Sequence, residues 1–157
     1  MNTHHADGDA TGALRRLLEA RYVGVLVTSA DGQPYPSLVA FAAADDLGEL
    51  LFATPRDTRK YANMQKNSRV AMLIDDRSNA AADIQGAVAA TAIGSATELP
   101  DEARKSWLKK YLARHPHLSD FIQSDRTVLV RMTVEKYVVV RQFQNVVEIP
   151  VEDGAVE

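Results

Sequence analysis

Residues 50–74 read LLFATPRDTRKYANMQKNSRVAMLI and contain two changes of secondary structure. The apolar run over residues 49–54 has the composition of a strand, and Pro55 to Asp57 stop it. Residues 58–65 carry helix-forming side chains, which predicts a short helix. Residues 69–74 are apolar again and predict a second strand. The chain therefore passes from strand to helix and back to strand within this one stretch.

Basic residues are concentrated in the same stretch. From Arg56 to Arg69 there are five cations and one acid, whereas the whole chain has a net charge of -3. A helix N-terminus offers unpaired N–H groups and a partial positive charge to an anion. A solvated basic helix face is the alternative interpretation of the charge. The side chains that would hold a phosphate monoester are Thr54, Thr58, Arg59 and Lys60.

A hairpin pattern precedes this stretch. Residues 23–28 and 35–43 are strand-like runs on either side of the turn signal Asp31-Gly32, so they predict two antiparallel strands. The strand at 49–54 would extend them into a meander. The side chains of residues 37–42 are mostly small and apolar, which would let a flat ring lie against the strand and bond to its backbone.

The remainder of the chain predicts more strands and a few helices. Helices are predicted over residues 12–21 and 100–114, with one helical turn at 119–123. Strands are predicted over residues 85–97, with an Ala-rich helix as the alternative, over 127–134 and 136–142 around a turn near Glu135, and over 146–151. The pattern indicates a mainly β fold, an antiparallel barrel with a few peripheral α-helices.

Length and composition indicate one soluble domain. The chain has 157 residues, of which 46% are apolar and 25% charged. We predict a flexible tail over residues 1–12, a single domain over residues 13–151 and an acidic tail over residues 152–157. No apolar run approaches the ~20 residues of a membrane span, and an acidic pI argues against nucleic-acid binding. We expect a cytoplasmic protein without a secretory signal.

Several kinds of chemistry are excluded by the residues present. The chain has no cysteine, which excludes disulfides, iron-sulfur clusters and thiol nucleophiles. Its four histidines, at positions 4, 5, 115 and 117, lack the spacing of a metal site, so no metal is predicted. Neither a G-x-S-x-G elbow nor a Gly-rich nucleotide loop is present.

Three segments together resemble the pyridoxamine 5'-phosphate oxidase-like family of FMN-binding split β-barrels. They are GQPYPSLVAF (32–41), LLFATPRDTRKYANMQKNSRVAMLI (50–74) and GSATEL (94–99), in the family's order and at about its spacing. The resemblance implies a homodimer that binds two FMN molecules in grooves between the subunits. By the same resemblance, the cofactor contacts are Ser37, Leu38, Val39, Ala40, Phe41 and Ala42 on one strand, Ala53 and Thr54 at a strand end, and Thr58, Arg59 and Lys60 at the phosphate.

The sequence also departs from the true oxidase of that family. Ser37 and Ala42 stand where the oxidase has a basic residue and a lysine that binds the substrate phosphate. Ala89 stands where it has a glutamine, and its C-terminal Arg-His-Asp-rich signature is absent. Oxidation of vitamin B6 phosphates is therefore not expected, and no catalytic residue is assigned.

Two functions remain open at this point. We predict an FMN-binding protein that acts as a flavin-dependent oxidoreductase on a small substrate. The alternative is a module of the same barrel that binds flavin, haem or another tetrapyrrole without catalysis. Haem would require an axial ligand, for which the internal candidates are His115 and His117.

Overall fold

The computed structural model describes the backbone of residues 4–143 and 145–156, and the side chains of residues 8–143 and 145–156. The strands are β1 (Val23–Ala30), β2 (Gln33–Ala43), β3 (Glu49–Pro55), β4 (Arg69–Asp75), β5 (Ala89–Glu98), β6 (Thr127–Arg141) and β7 (Asn145–Pro150). The helices are α1 (His4–Ala20), α2 (Arg59–Lys66), α3 (Asp83–Gly86), α4 (Asp101–Arg114) and α5 (Ser119–Gln123), with a 3₁₀ turn at Pro116–Leu118.

Pairing between β3 and β6 closes the sheet into a barrel. The strands lie in the order β3-β2-β1-β4-β5-β6-β7, and β3 also pairs with β6 from Glu49 opposite Thr133 to Pro55 opposite Thr127. Six antiparallel strands thus form the barrel, and β7 adds to it beside β6. The predicted mainly β fold, an antiparallel barrel with peripheral helices, is confirmed.

The predicted turn near Glu135 is wrong, because β6 runs through this position without a break. Its register with β5 shifts between Ile93, opposite Lys136, and Gly94, opposite Val134. Glu135 is therefore the extra residue of a β-bulge, which bends a strand without ending it. A charged residue between two apolar runs has the same sequence pattern in a bulge and in a turn.

The N-terminal helix begins at His4 rather than at residue 12. Ala10 and Leu14 on this helix are fully buried in the barrel core. The predicted flexible tail over residues 1–12 is thus wrong from His4 onward, and residues 1–3 lie outside the described part. Gly8 and Gly12 are weak helix formers, so the sequence favours a loop where packing of α1 stabilises a helix.

The described part of the predicted acidic tail, residues 152–156, folds back against the domain. Glu152 pairs with Ala155 across a tight turn in which Gly154 has φ 79°. Val156 is buried, and its N–H donates to the carbonyl of Asp46 at 2.9 Å. One apolar side chain thus anchors the acidic segment to the turn between β2 and β3.

The strand predicted over residues 85–97 is confirmed from Ala89 onward. The alternative helix applies only to the short α3, which comes just before it. The core has two parts, one inside the barrel and one between β2, β3, β6 and the pair α4 and α5. None of the described helices has the length and apolar character that a membrane crossing requires.

Gly94, beside the bulge, allows the backbones of β5 and β6 to approach closely, and this contact generates a prediction. A Cβ atom at Gly94 would lie 2.0 Å from the carbonyl oxygen of Thr133. We expect Gly94→Ala to lower the free energy of unfolding in urea by at least about 2 kcal/mol, since strand backbone must move. Gly86→Ala is the control, because a Cβ there meets nothing within 4 Å. Equal unfolding free energies for the two variants would contradict this account.

Candidate functional site

The start of α2 is capped by the Thr58 hydroxyl, which a second threonine hydroxyl contacts. Thr58 is the N-cap residue, and its Oγ1 accepts from the Tyr61 N–H at 3.3 Å and donates to the Pro55 carbonyl at 2.9 Å. Thr54 Oγ1 lies 2.8 Å from Thr58 Oγ1, and Thr54 is fully buried. The two hydroxyls therefore hold the first turn of α2 in place. A direct contact of either hydroxyl with a phosphate stays a prediction.

The loop between β3 and α2 is tied to the chain just before β6. The guanidinium of Arg56 donates to the Asp125 carbonyl at 2.7 Å, and the Arg56 N–H donates to the Arg126 carbonyl at 2.8 Å. Asp57 forms an ion pair with Arg126. These contacts order the loop before any ligand arrives, which lowers the entropic cost of binding one there.

Two of the five cations of this segment lack a carboxylate partner among the described residues. They are Arg59 and Lys60, the first two residues of α2. The ion pairs of the other three are Arg56 with Glu98, Lys66 with Asp31, and Arg69 with Glu135. Partial burial lowers the pKa of Lys60, which an anion placed beside it would oppose. Unpaired positive charge thus coincides with the N-terminus of a helix.

The edge of β2 that faces β3 is uncovered over part of its length. Pairing between the two strands ends at Phe41 opposite Phe52. Alternate residues of a strand direct their backbone groups to the same edge, and the Ala44 N–H donates to Glu49 of the β3 hairpin. The backbone groups of Leu38 and Ala40 therefore face an edge that β3 does not cover. The Ala40 carbonyl accepts from the Tyr111 hydroxyl at 3.1 Å.

The predicted strand residues divide between three environments. Val39 and Phe41 point into the barrel core, and their backbone groups face β1 instead of the uncovered edge. The side chains of Ala42 and Ala53 are buried beneath α4 and α5. Leu38 is 73% exposed. Of the predicted β2 residues, Leu38 and Ala40 thus have backbone groups at the uncovered edge, and contact of any of these residues with a cofactor stays a prediction.

Ser37 provides a test of whether a ligand fits here. Its hydroxyl oxygen is buried and has no hydrogen-bond partner among the described residues. Buried polar atoms are almost always paired, so such an atom is suited to meet a ligand or a water molecule. Together with the uncovered edge and the two unpaired cations, it fits a phosphate-bearing ring compound.

Two contributors to the site are absent from the sequence-based prediction. The guanidinium of Arg59 lies 5.8 Å from the ring centroid of Tyr35, a cation–π contact that orients this cation. Asn63 lies on the buried side of α2 and donates a hydrogen bond to Thr28 on β1. Tyr35 comes two residues before Ser37 on a predicted strand, and alternate strand residues share a face. This spacing could have indicated that Tyr35 lies on the side of the predicted phosphate site.

His115 is not free to bind haem iron in this structure. It is 1% exposed, and its Nε2 lies 2.7 Å from the Phe41 carbonyl, to which it donates. Burial lowers the pKa of its imidazole, which favours the neutral ring. His117 is exposed next to it, with ring centroids 6.2 Å apart. No cluster of three metal-ligating side chains occurs in the part of the chain that the structure describes.

A six-stranded antiparallel barrel with an uncovered strand edge beside a cationic helix start defines a split β-barrel protein. The family model described as pyridoxamine 5'-phosphate oxidase matches residues 10–141. This chain belongs to that family. No curated protein sequence matches the chain.

Solved structures share the fold at low sequence identity. A haem-binding protein from Mycobacterium smegmatis has a TM-score of 0.80 and 15% identity over 90% of this chain and 57% of its own. An FAD-binding protein from Mesorhizobium loti has a TM-score of 0.67 and 22% identity over 82% of this chain and 90% of its own. A protein related to general stress protein 26 from Clostridium acetobutylicum has a TM-score of 0.72 and 15% identity over 94% of this chain and 98% of its own. This chain thus spans little more than half of the mycobacterial protein's length.

The cap of α2 generates a prediction. Thr58→Val keeps the shape of the side chain but removes the hydroxyl that accepts from Tyr61. We expect the free energy of unfolding in urea to fall by about 1 kcal/mol, the usual effect of losing an N-cap. Thr58→Ser retains the hydroxyl and should lose far less. Thr97→Val, on the exposed part of β5, is the matched control. A serine variant as unstable as the valine variant would contradict the cap.

Proposed function

We propose that this chain binds FMN and serves as a flavin-dependent oxidoreductase for a small substrate, as a homodimer. The observation that carries the proposal is the pair Arg59 and Lys60, which lack carboxylate partners among the described residues and begin a helix next to an uncovered strand edge. Family membership and the fold shared with an FAD-binding protein support a flavin. A terminal monoester with up to two negative charges matches two adjacent cations.

Each part of the site has a distinct task in this proposal. The planar fork of Arg59 would donate two hydrogen bonds to the phosphate, and Lys60 would supply a compact charge. The backbone groups of Leu38 and the Ala40 N–H would bond to the polar edge of the ring, while the Ser37 hydroxyl would gain its missing partner. The bound flavin supplies hydride or electron transfer, and the protein supplies position and electrostatics.

The position of Ala42 supports a substrate other than a vitamin B6 phosphate. Its side chain is 3% exposed and packs against the cluster beneath α4. A substrate phosphate would therefore find no cation at this position. We keep the expectation that the chain does not oxidise pyridoxine or pyridoxamine 5'-phosphate.

A row of mainly apolar side chains on the outer face of the barrel, here called the apolar row, supports the homodimer. The outward positions lie side by side across five strands in the register Val25–Leu38, Val25–Leu73, Leu73–Thr91 and Thr91–Val138. Outward positions of a solvated antiparallel sheet are normally polar. A second copy on this face would bury the row. Since Leu38 also belongs to the proposed flavin strand, the same contact would enclose the cofactor groove.

Haem binding is the second candidate, because the haem-binding protein from Mycobacterium smegmatis shares the fold. The bond from His115 to the Phe41 carbonyl counts against it, since this ring nitrogen would have to leave a buried hydrogen bond. A visible absorption spectrum of the purified protein separates the two candidates. A flavin spectrum would support the proposal, and a haem spectrum with no bound flavin would overturn it.

The phosphate site generates the central prediction. Arg59→Ala should weaken FMN binding by about 10- to 100-fold, since a charge-assisted hydrogen bond contributes about 1.5–3 kcal/mol. Riboflavin, which lacks the phosphate, should bind the variant and the native chain alike. The measurement is flavin fluorescence titration of protein freed of bound flavin. Lys66→Ala, at the other end of α2 and paired with Asp31, should have little effect. Equal losses for FMN and riboflavin would contradict the site.

The homodimer generates a further prediction. Leu73→Asp introduces a charge into the apolar row, so it should convert the dimer to a monomer in light scattering at micromolar concentration. The same variant should bind FMN more weakly if a second copy encloses the groove. Lys105→Asp, on the exposed side of α4, changes the charge more and should stay dimeric. A native chain that is monomeric under these conditions would refute the dimer.

A further inference from the structure

Helix α2 is joined to the barrel by a buried polar contact. The Asn63 side chain is 7% exposed, and its Nδ2 donates to Thr28 Oγ1 at 3.0 Å. Thr28 is fully buried on β1, and its hydroxyl lies 3.4 Å from the Tyr35 carbonyl on β2, to which it donates. A chain of two hydrogen bonds therefore runs from α2 through β1 to β2.

This contact is a large part of what holds α2 in place. Of the eight residues of α2, all of them described, only Asn63 and Met64 are buried. Met64 contributes an apolar contact, which favours burial but imposes little orientation. The bond from Asn63 is directional, because its donor must meet the Thr28 oxygen at a narrow range of distance and angle. Asn63 therefore limits the rotation of α2 against the barrel, together with the bond from the Tyr61 hydroxyl to Glu98 at 3.1 Å.

The position of Asn63 along the helix connects it to the two unpaired cations. Residues three and four apart lie on neighbouring positions of one helix face. Asn63 follows Lys60 by three residues and Arg59 by four. The anchored side chain is therefore one turn away from both cations, so a change in its contact would move them together. Tyr35, whose carbonyl ends the hydrogen-bond chain, also lies beneath the Arg59 guanidinium.

We infer that Asn63, through Thr28, is a positioning residue for the phosphate of the bound flavin. It sets the rotation of α2 so that Arg59, Lys60 and the N–H groups of the first turn converge on one point. A buried amide and hydroxyl could be exchanged for apolar side chains of similar shape at little cost in stability. The polar pair therefore has its use in orientation. This inference rests on the proposed function.

A double variant separates orientation from stability. Asn63→Leu combined with Thr28→Val replaces the pair by apolar side chains and leaves neither partner buried without a hydrogen bond. Its melting temperature should stay close to that of the native chain. FMN binding should weaken by about tenfold, the equivalent of one lost hydrogen bond to a charged group. Riboflavin binding should not change, because α2 contacts only the phosphate in this arrangement. Thr28→Ser retains the acceptor oxygen and should bind FMN nearly as tightly as the native chain.

Amide hydrogen exchange provides a readout that does not involve flavin. In the double variant, residues 59–66 should exchange faster than in the native chain, while β1 and β6 keep their protection. Three results in the double variant would each overturn the inference and leave the proposed function standing. They are FMN binding as tight as in the native chain, unchanged amide exchange in α2, and equal losses of affinity for FMN and riboflavin. A native chain that binds neither flavin would overturn both.

Discussion

Pairing of β3 with β6 is the constraint on which the rest of this molecule depends. One edge of β3 pairs with β6 over the whole length of β3. For this reason β3 diverges from β2 after three residue pairs. The divergence exposes the backbone of Leu38 and Ala40, while β2 stays paired with β1 on its other edge. Closure of the barrel and the opening beside β2 are therefore consequences of the same pairing. The chain exposes a strand edge without unpairing any strand completely.

The second half of the site comes from the way that charges are distributed. Arg56, Lys66 and Arg69 are neutralised by carboxylates on three different strands or turns, which also tie the α2 segment to the barrel. Such exposed pairs contribute little to stability individually. Their consequence is local, since they leave the excess positive charge at the first turn of α2. The helix dipole adds to the charge there, and the threonine cap fixes where the turn begins.

Local sequence patterns sufficed for much of this architecture. The strands, α2 and α4, and the cationic pair Arg59 and Lys60 follow from periodicity, turn residues and charge, which act over a few neighbouring residues. The patterns failed where distant parts of the chain decide the outcome. Glu135 forms a bulge because of its partner strand, and Val156 is buried because the turn at Asp46 receives it. Interior bonds such as those of Thr54, Asn63 and His115 are likewise invisible until the fold brings their partners together.

The long strand β6 also determines when the barrel can exist during folding. Its partners on β3 lie about half the chain away, as in the pair formed by Glu49 and Thr133. Contacts between residues so far apart form late, because a large loop must close first. Until β6 arrives, β5 has one bare edge and β3 another, and bare strand edges pair readily with other chains. A nascent or truncated chain that ends before Thr127 therefore has two unpaired strand edges that are open to other chains, and β6 alone covers both once the barrel has closed.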